Sequence, residues 1–449
     1  MSQSTRLGKF GLTGKQTGTS ETMLNNAKSH GLWELTAPPA PETAALRESI
    51  KVETIIIGGG YTGLSAALHL GEAGANVALL EAVEIGFGGA GRNVGLVNAG
   101  MWVMPDVLTD ILGDDYGERL LGLLGDAPKL VFDLIERHCI ECEVERAGTL
   151  HCAAGPKGLK ELEQRVAQWS RRGAPVELLN AADTEAKVGS STYAGSLLDR
   201  RAGTIQPLAY ARGLARAALN AGAQIFTRSA VASAEQVDGK WRLQTAGGYV
   251  TADRVIVATD AYATGPWSEV TTEQIHLPYF NFATEPLSDN IRASILPERQ
   301  GAWDTNEVLS SFRFDRAGRL VFGSCGALRG TGAAVHRSWA RRALRKLFPQ
   351  IGDVRFEAEW YGLIGMTDDH LPRFHKFADN VIGFSGYNGR GIAPGTTFGR
   401  LLALHVLGQI DEKDLPLPAS SPTRPHFRSA KAALYEVGAQ LVHLIEARL

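Results

Sequence analysis

The sequence predicts an α/β plus α+β architecture, in which a Rossmann-like domain is joined to a second domain built mainly on an antiparallel sheet. Three observations predict it. An apolar run, Thr54–Ile57, leads into a glycine-rich turn and an amphipathic segment. A glycine-rich loop and a β meander follow later in the chain. From residue 279 to 322, apolar residues recur at every second position, which is typical of antiparallel strands.

The glycine-rich turn, Gly58–Gly63, gives the most specific signal. It matches G-x-G-x-x-G between a predicted strand and a predicted helix, and a second apolar strand, Val77–Leu80, ends at Glu81. Gly58 permits the tight turn, Gly60 lets the main chain approach a pyrophosphate, and Gly63 lets the helix pack on the strand. The free N–H groups of the helix N-terminus attract phosphates, and Glu81 can bind a ribose. The unit therefore predicts dinucleotide binding.

The middle of the chain indicates which dinucleotide binds. Hairpin turns at Asp238-Gly239 and Gly247-Gly248 precede an apolar strand, Arg254–Thr259. A meander ending in such a strand is typical of the second half of an FAD domain, whereas an NAD domain would continue with alternating strands and helices. A second glycine turn, Gly386–Gly391, again precedes a predicted helix. Reduced flavin carries negative charge, which a helix N-terminus stabilises.

Composition excludes several classes of protein. The chain has 449 residues, a net charge of -2 and four cysteines, so it is large enough for two or three domains and carries no disulfide framework. The charge predicts no nucleic-acid partner, and no apolar run reaches the roughly 18 residues of a membrane span. We expect a cytoplasmic protein. Cys139-x-x-Cys142 follows a predicted helix rather than beginning one, so we predict neither a redox pair nor a metal site.

Residues 50–415 resemble the glycine/D-amino-acid oxidase family of FAD-dependent amine oxidases. Gly91-Arg-Asn93 is similar to the γ-glutamylputrescine oxidoreductase branch. Longer stretches are similar to bacterial L-pipecolate oxidase, namely residues 91–100, 198–204, 303–305 with 308–311, and 386–391. The resemblance implies two domains, with FAD extended across the first. It also implies that the loop at residues 86–95 carries the pyrophosphate, that Val231 contacts the adenine and that the Gly389–Gly391 turn lies under the flavin.

The resemblance predicts the cofactor site residue by residue. It comprises Gly58, Gly60, Tyr61, Thr62, Gly63, Glu81, Ala82, Gly88, Gly89, Ala90, Arg92, Asn93, Val94, Val231, Ala258, Thr259, Gly389, Arg390, Gly391 and Ile392. Sarcosine-oxidase relatives bind their flavin through a cysteine before an acid–His pair, but residues 360–370 contain none, so we expect non-covalent FAD. Ala393 stands near the position of their carboxylate-binding lysine.

Amine oxidation requires a pocket that favours a neutral amine, and a carboxylate on the substrate requires a cation. The aromatic candidates are Trp102, Tyr279, Phe280, Trp303 and Tyr361; the cationic ones are Arg313 and Arg390. Arg313 alternates with Phe312 and Phe314, so it faces either solvent or a cavity. His370 could orient a neighbouring group or be structural.

The sequence favours oxidation of an amine or imino acid, with L-pipecolate oxidised to Δ1-piperideine-6-carboxylate and O2 reduced to H2O2 as the leading hypothesis. An electron-transfer partner could replace oxygen. The alternatives are oxidation of γ-glutamylated amines, an NADPH-dependent flavin monooxygenase, and a non-catalytic flavin-binding protein.

The predicted boundaries are as follows. Residues 1–50 form an N-terminal extension, with Leu32-Trp33 and Pro38–Pro41 in an arm over the surface. The FAD domain takes residues 51–110, 195–265 and 360–415. The substrate domain takes 111–194 and 266–359, and a helical segment takes 416–449. In its helix, Leu434, Val437, Leu441 and Leu444 form an apolar stripe, which predicts core or subunit packing.

Overall fold

A computed structural model describes residues 29–423 and 428–446. Two sheets carry most of the structure. The first has nine strands: β1 (Ile50–Ile57), β2 (Val77–Leu80), β8 (Gln224–Phe226), β9 (Ser233–Val237), β10 (Lys240–Gln244), β11 (Tyr249–Val257), β17 (Arg373–Ala378), β18 (Val381–Ser385) and β19 (Ala419–Ser420). The second has eight: β4 (Thr149–Cys152), β5 (Val176–Leu179), β6 (Ser196–Asp199), β12 (Ile275–Thr284), β13 (Gly301–Asp304), β14 (Ser310–Phe314), β15 (Leu320–Cys325) and β16 (Phe356–Met366). A short ladder pairs β3 (Leu96–Val97) with β7 (Gly203–Thr204).

The helices of the described residues connect and cover these sheets. They are α1 (Leu32–Thr36), α2 (Tyr61–Glu72), α3 (Pro105–Arg137), α4 (Gly155–Arg171), α5 (Ala181–Val188), α6 (Pro207–Asn220), α7 (Glu269–Glu273), α8 (Asp289–Ser294), α9 (Thr331–Leu347), α10 (Ile392–Val406) and α11 (Arg428–Ile445). None of these helices combines the length and apolarity needed to span a bilayer.

The first sheet has the parallel core that the glycine-rich turn predicts. Its central order is β18–β11–β1–β2–β8, and all four pairings are parallel. Strand β1 is fully buried in its second half because apolar layers cover both faces. Helices α2, α6 and α10 pack on one face, and the β9–β10–β11 meander extends the sheet through both predicted hairpins.

The second sheet is mainly antiparallel, in the order β16–β12–β15–β14–β13–β4–β6–β5. Its core contains Phe280, Phe282, Phe312 and Phe322, packed beneath α9. Two segments expected in the first domain, residues 196–199 and 360–366, instead contribute strands to this sheet. Helix α3, expected in the second domain, packs its buried face into the core of the first. Sequence period identifies a strand but not the sheet that it joins.

The N-terminal arm differs from its prediction. Residues 32–36 form helix α1, and Leu32 and Trp33 are completely buried. The Trp33 ring packs edge-on against Trp360 at 5.4 Å, and its Nε1 donates a hydrogen bond to the Asn93 carbonyl at 2.9 Å. The segment is therefore part of the core, directly behind the loop at residues 86–95.

Candidate functional site

A cavity of about 960 Å³ lies between the two sheets. Gly58, Glu81 and Ala258, which directly follow β1, β2 and β11, line one end of it. Tyr279 and Trp303 of the second sheet line the other. Ligands of open α/β sheets bind at the carboxyl ends of the strands, so the first end is the expected nucleotide site.

The glycine turn leaves space where a phosphate group must approach. Gly58 has φ +108°, and a Cβ there would lie 2.7 Å from the Ala258 carbonyl oxygen. A Cβ on Gly63 would lie 2.0 Å from the Gly58 oxygen. A Cβ on Gly60 would meet only the Ala90 Cβ, at 3.9 Å, and would occupy the cavity instead. The N-terminus of α2 has no side-chain cap, so its N–H groups are available to an anion.

Glu81 holds the turn and lines the cavity. Its carboxylate accepts hydrogen bonds from the main-chain N–H groups of Gly59 at 2.7 Å and Val83 at 2.8 Å. Burial raises the pKa of Glu81, and these two hydrogen bonds oppose that rise. The carboxylate is thus positioned between the turn and the space that a ribose would occupy.

The loop at residues 86–95 is fixed by its own polar groups. The Tyr61 hydroxyl donates to the Ala90 carbonyl at 2.6 Å, and the Asn93 amide donates to the Gly89 carbonyl at 2.9 Å. The main-chain N–H of Gly95 donates to the Asn93 side chain at 2.9 Å. These contacts turn the loop inward, so it lines the cavity along much of its length.

The second glycine turn places the N-terminus of α10 at the cavity wall. Asn388 has φ +52°, and its side-chain oxygen accepts a hydrogen bond from the Thr367 N–H at 2.8 Å. The Trp102 indole donates to the Asn388 carbonyl at 2.5 Å. Gly391 caps α10 without a side-chain hydrogen bond, so this helix also offers free N–H groups. A Cβ on Gly391 would meet only Tyr387, at 3.9 Å.

All but one of the predicted cofactor residues line the cavity. They are Gly58, Gly60, Tyr61, Thr62, Glu81, Ala82, Gly88, Gly89, Ala90, Arg92, Asn93, Val94, Val231, Ala258, Thr259, Gly389, Arg390, Gly391 and Ile392. Gly63 lies behind the turn, where its missing Cβ permits contact between α2 and β1. The set forms one elongated surface with two helix N-termini and an acid, which fits FAD.

Arg390 is the cation at the substrate end. Its guanidinium lies 4.8 Å from the Trp102 ring and 5.6 Å from the Trp303 ring, and it donates to the Ala99 carbonyl at 2.9 Å. Its Nε has no hydrogen-bond partner among the described residues. Burial, with repulsion from Arg165, lowers the pKa of Arg390 to about 9, so the group remains charged at neutral pH.

The aromatic wall beside Arg390 is rigid. Trp303 stacks on His151 with ring centroids 4.7 Å apart, and the Tyr279 hydroxyl lies 2.7 Å from the Ser311 hydroxyl. Burial lowers the pKa of His151 well below its usual value, which keeps the imidazole neutral. Burial likewise raises the pKa of Tyr279. The wall therefore presents neutral groups, which favour a neutral amine.

Two predicted catalytic residues do not line the cavity. Arg313 is 1% exposed; its guanidinium donates to the main-chain carbonyls of Ile205 and Phe314 and faces Glu143 at 3.9 Å. Tyr361 packs against the core of the second sheet, while its neighbour Gly362 lines the cavity. Phe280, the other aromatic candidate, is completely buried. The alternation at Arg313 was compatible with a cavity, but the space it faces is filled by the α1 region.

Several cavity residues carry no local sequence signal. Tyr262 lies against Gly88 and accepts a hydrogen bond from the Leu363 N–H at 2.8 Å. Residues 306–309, Cys325, Tyr435 and Ala439 line the substrate end. His370 also lines the cavity. Pairing of β12 to β15 brings most of these together, and only the strand order could have identified them.

The C-x-x-C motif lies away from this cavity. Cys139 is exposed, Cys142 is buried, and both are free thiols. Burial raises the pKa of Cys142 to about 12, which disfavours the reactive thiolate. Within residues 29–423 and 428–446, no group of three acidic, histidine or cysteine side chains is placed to hold a metal ion.

Comparison with known proteins identifies the class to which this fold and site belong. The sequence model of the DAO family, described as FAD dependent oxidoreductase, matches residues 53–404. The chain therefore belongs to this family, and FAD is its cofactor.

Individual relatives place it more closely. The chain is 34% identical to gamma-glutamylputrescine oxidoreductase of Escherichia coli (strain K12) over 405 residues, which covers 87% of this chain and 94% of the relative. It is 31% identical to the probable oxidoreductase OrdL of Rhizobium meliloti (strain 1021), covering 89% and 94%. The crystal structure of glycine oxidase from Geobacillus kaustophilus shares the fold, with a TM-score of 0.68, 21% identity, and coverage of 84% and 99%.

Proposed function

We propose that this enzyme oxidises γ-glutamylated amines, the class to which the named substrate of the Escherichia coli relative belongs. The observation that carries the proposal is the extent of the cavity lining. It includes Glu81 at the nucleotide end, Arg390, and Tyr435 of the last helix, so a substrate longer than glycine would have residues to contact beyond Arg390. The 34% identity supports the same substrate class.

Bound FAD supplies the acceptor for the hydride that leaves the C–H next to the substrate nitrogen. The residues of this chain orient the substrate and exclude water. Trp102 and Trp303 give the reacting end an apolar surface, on which the neutral form of the amine is favoured. Arg390 supplies a fixed positive charge for a carboxylate. The product is an imine, and oxygen or a separate electron carrier takes the electrons.

L-Pipecolate is the second candidate, and the position of Arg390 favours it. Arg390 directly follows Gly389 on the turn that is expected under the flavin, and it lines the cavity. A carboxylate held there would place the neighbouring ring nitrogen and its C–H near the reacting end. Small imino acids would use the inner part of the cavity alone.

Anaerobic reduction of the bound flavin tests the proposal directly. The purified holoenzyme is mixed with γ-glutamylputrescine, L-pipecolate or glycine, and the loss of flavin absorbance is followed by stopped flow. We expect the fastest bleaching with γ-glutamylputrescine. Faster bleaching by L-pipecolate would select the second candidate. In a separate assay, rapid NADPH consumption by the holoenzyme would indicate a flavin monooxygenase. If none of the amines reduces the flavin, the chain is a non-catalytic flavin-binding protein.

A further inference from the structure

Resting on the proposed function, we propose that α11 forms the outer wall of the substrate chamber and that Tyr435 and Ala439 determine the length of the amine the enzyme accepts. Both residues line the cavity. Ala439 is 4% exposed, whereas Tyr435 is 44% exposed and lies where the cavity approaches the surface. The helix lies beyond residues 53–404, the part of the chain that the family model matches.

The inner face of α11 is anchored by His443. Tyr435, Ala439 and His443 recur every four residues, so they share one face of the helix. The His443 ring stacks on Trp339 with centroids 3.8 Å apart, and its Nδ1 lies 2.8 Å from the Nδ1 of His336. Both histidines are completely buried. These contacts fix the depth at which the helix sits on α9 and β12.

A single hydroxyl ties this helix to the loop on the opposite side of the chamber. Ser324 on β15 donates a hydrogen bond to the Leu309 carbonyl at 2.8 Å, and its oxygen lies 3.3 Å from His443 Nε2. Leu309 closes the loop at residues 305–309, of which Asn306, Glu307 and Val308 also line the cavity. Helix and loop are therefore held at a fixed separation, which defines the width of the outer chamber.

Two charged pairs lie along the first half of the helix. Lys431 Nζ lies 2.7 Å from Asp368, and the Arg329 Nε donates to Glu436 at 3.0 Å. Such partly exposed pairs contribute little stability, so the buried histidine and tryptophan rings both hold the helix and set its rotation. With this orientation the small Ala439 faces the chamber, and its size leaves room for the far end of a long substrate.

Filling that space should shorten the accepted substrate. We expect Ala439→Phe to lower kcat/KM for γ-glutamylputrescine by about 10-fold or more, because the larger side chain occupies space that the long substrate needs. The kcat/KM for a small amine such as L-pipecolate should change by less than about 2-fold. Tyr435→Ala should relax the length limit, and Tyr435→Phe should behave as the parent enzyme. Leu434→Ala, on the outer face of the same helix, is the matched control and should change kcat/KM for neither substrate.

A second measurement separates this inference from the proposed function. Binding of unreactive ω-amino carboxylates of increasing length is followed by the change in flavin absorbance, without turnover. Ala439→Phe should weaken the longest ligands selectively even if γ-glutamylputrescine fails as a substrate. Equal weakening of short and long ligands, or the same effect from Leu434→Ala, would overturn the inference. Melting temperature checks the fold, and Ala439→Leu replaces the phenylalanine variant if that variant does not fold.

Discussion

At the scale of single residues, Glu81 connects the nucleotide site to the turn that forms it. We expect Glu81→Ala to raise the dissociation constant of FAD by about 10- to 100-fold, because the main-chain N–H groups of Gly59 and Val83 lose the acceptor that holds the turn. Flavin fluorescence during titration of the apoprotein measures this. Glu84→Gln, a neighbouring carboxylate outside the cavity lining, is the control. Equal affinities of Glu81→Ala and the parent protein would contradict the role assigned to this acid.

Arg390 should affect substrates according to their charge. We expect Arg390→Met to lower kcat/KM for L-pipecolate about 100-fold, because the charge-assisted hydrogen bonds to its carboxylate disappear. The kcat/KM for a simple secondary amine, which has no carboxylate, should stay nearly unchanged. Arg400→Met changes an exposed arginine in helix α10, which follows the turn that carries Arg390, and should have no effect. A parallel loss for both substrates would show that Arg390 does not recognise a carboxylate.

Arg313 should behave as a structural residue. We expect Arg313→Met to lower the free energy of unfolding by about 3–5 kcal/mol, because Glu143 and two main-chain carbonyls lose a buried partner. Arg316→Met, at a nearby exposed position, should cost little. Denaturant unfolding measures both variants. Unchanged stability of Arg313→Met, together with a raised KM, would restore the substrate-binding role predicted from the sequence.

At the scale of elements, the strand–turn–helix unit at residues 50–72 depends on the absence of one methyl group. Gly63→Ala places a Cβ against the Gly58 oxygen, and we expect loss of FAD binding or of soluble protein. The control is Gly122→Ala in helix α3, where a Cβ meets no atom within 4 Å. It should stabilise the protein by about 0.5–1 kcal/mol, because alanine loses less conformational freedom in a helix. A Gly63→Ala protein with normal flavin content would contradict this account.

Elements whose partners are local in sequence could be predicted well. Strand β2 occupies the predicted residues 77–80, and both meander hairpins turn where predicted. The stripe Leu434, Val437, Leu441 and Leu444 does not pack in the core, because these side chains are 38–69% exposed, and its packing against another subunit stays a prediction. Ala439 and His443 face inward instead. Periodicity reports that a helix is amphipathic, whereas the packing against β12 and α9 decides which face is buried.

The cofactor end and the substrate end of the cavity differ in how much of each could be predicted from the sequence, for a related reason. Much of the nucleotide end lies in turns that directly follow strands, so the glycine motifs locate these turns and the family resemblance adds the other residues. The substrate end is built by β12 to β15 and α11, which meet only through tertiary pairing. Tyr279, Trp303 and Arg390 were found because of their chemistry; Ser311, Cys325 and Tyr435 were not.

At the scale of the whole molecule, stability should fall in mild acid. Burial lowers the pKa of His336 to about 4 and that of His443 to about 3. Unfolded histidines bind protons near pH 6.5, so the unfolded state binds more protons than the folded state between about pH 6.5 and 4. The stability that depends on these neutral rings is therefore complete above pH 6.5 and is lost as the pH falls through that range.

Melting temperature against pH tests this prediction. A steeper decline below pH 6.5 is expected for the parent protein than for His443→Gln, whose side chain does not titrate. Arg342 and Glu436 also act on these rings, so the comparison is made at fixed ionic strength. Parallel curves for the two proteins would show that the acid sensitivity arises elsewhere.

The burial of Trp33 has a consequence for the order in which the chain can be assembled during synthesis. Its contacts include Gln206 and Trp360, which leave the ribosome long after it does. Leu32 and Trp33 therefore lack these partners, and remain available to chaperones, until residues 206 and 360 have emerged. The core of the first domain is consequently completed only after residue 360 has been made, although the glycine turn that defines this domain is made about 300 residues earlier.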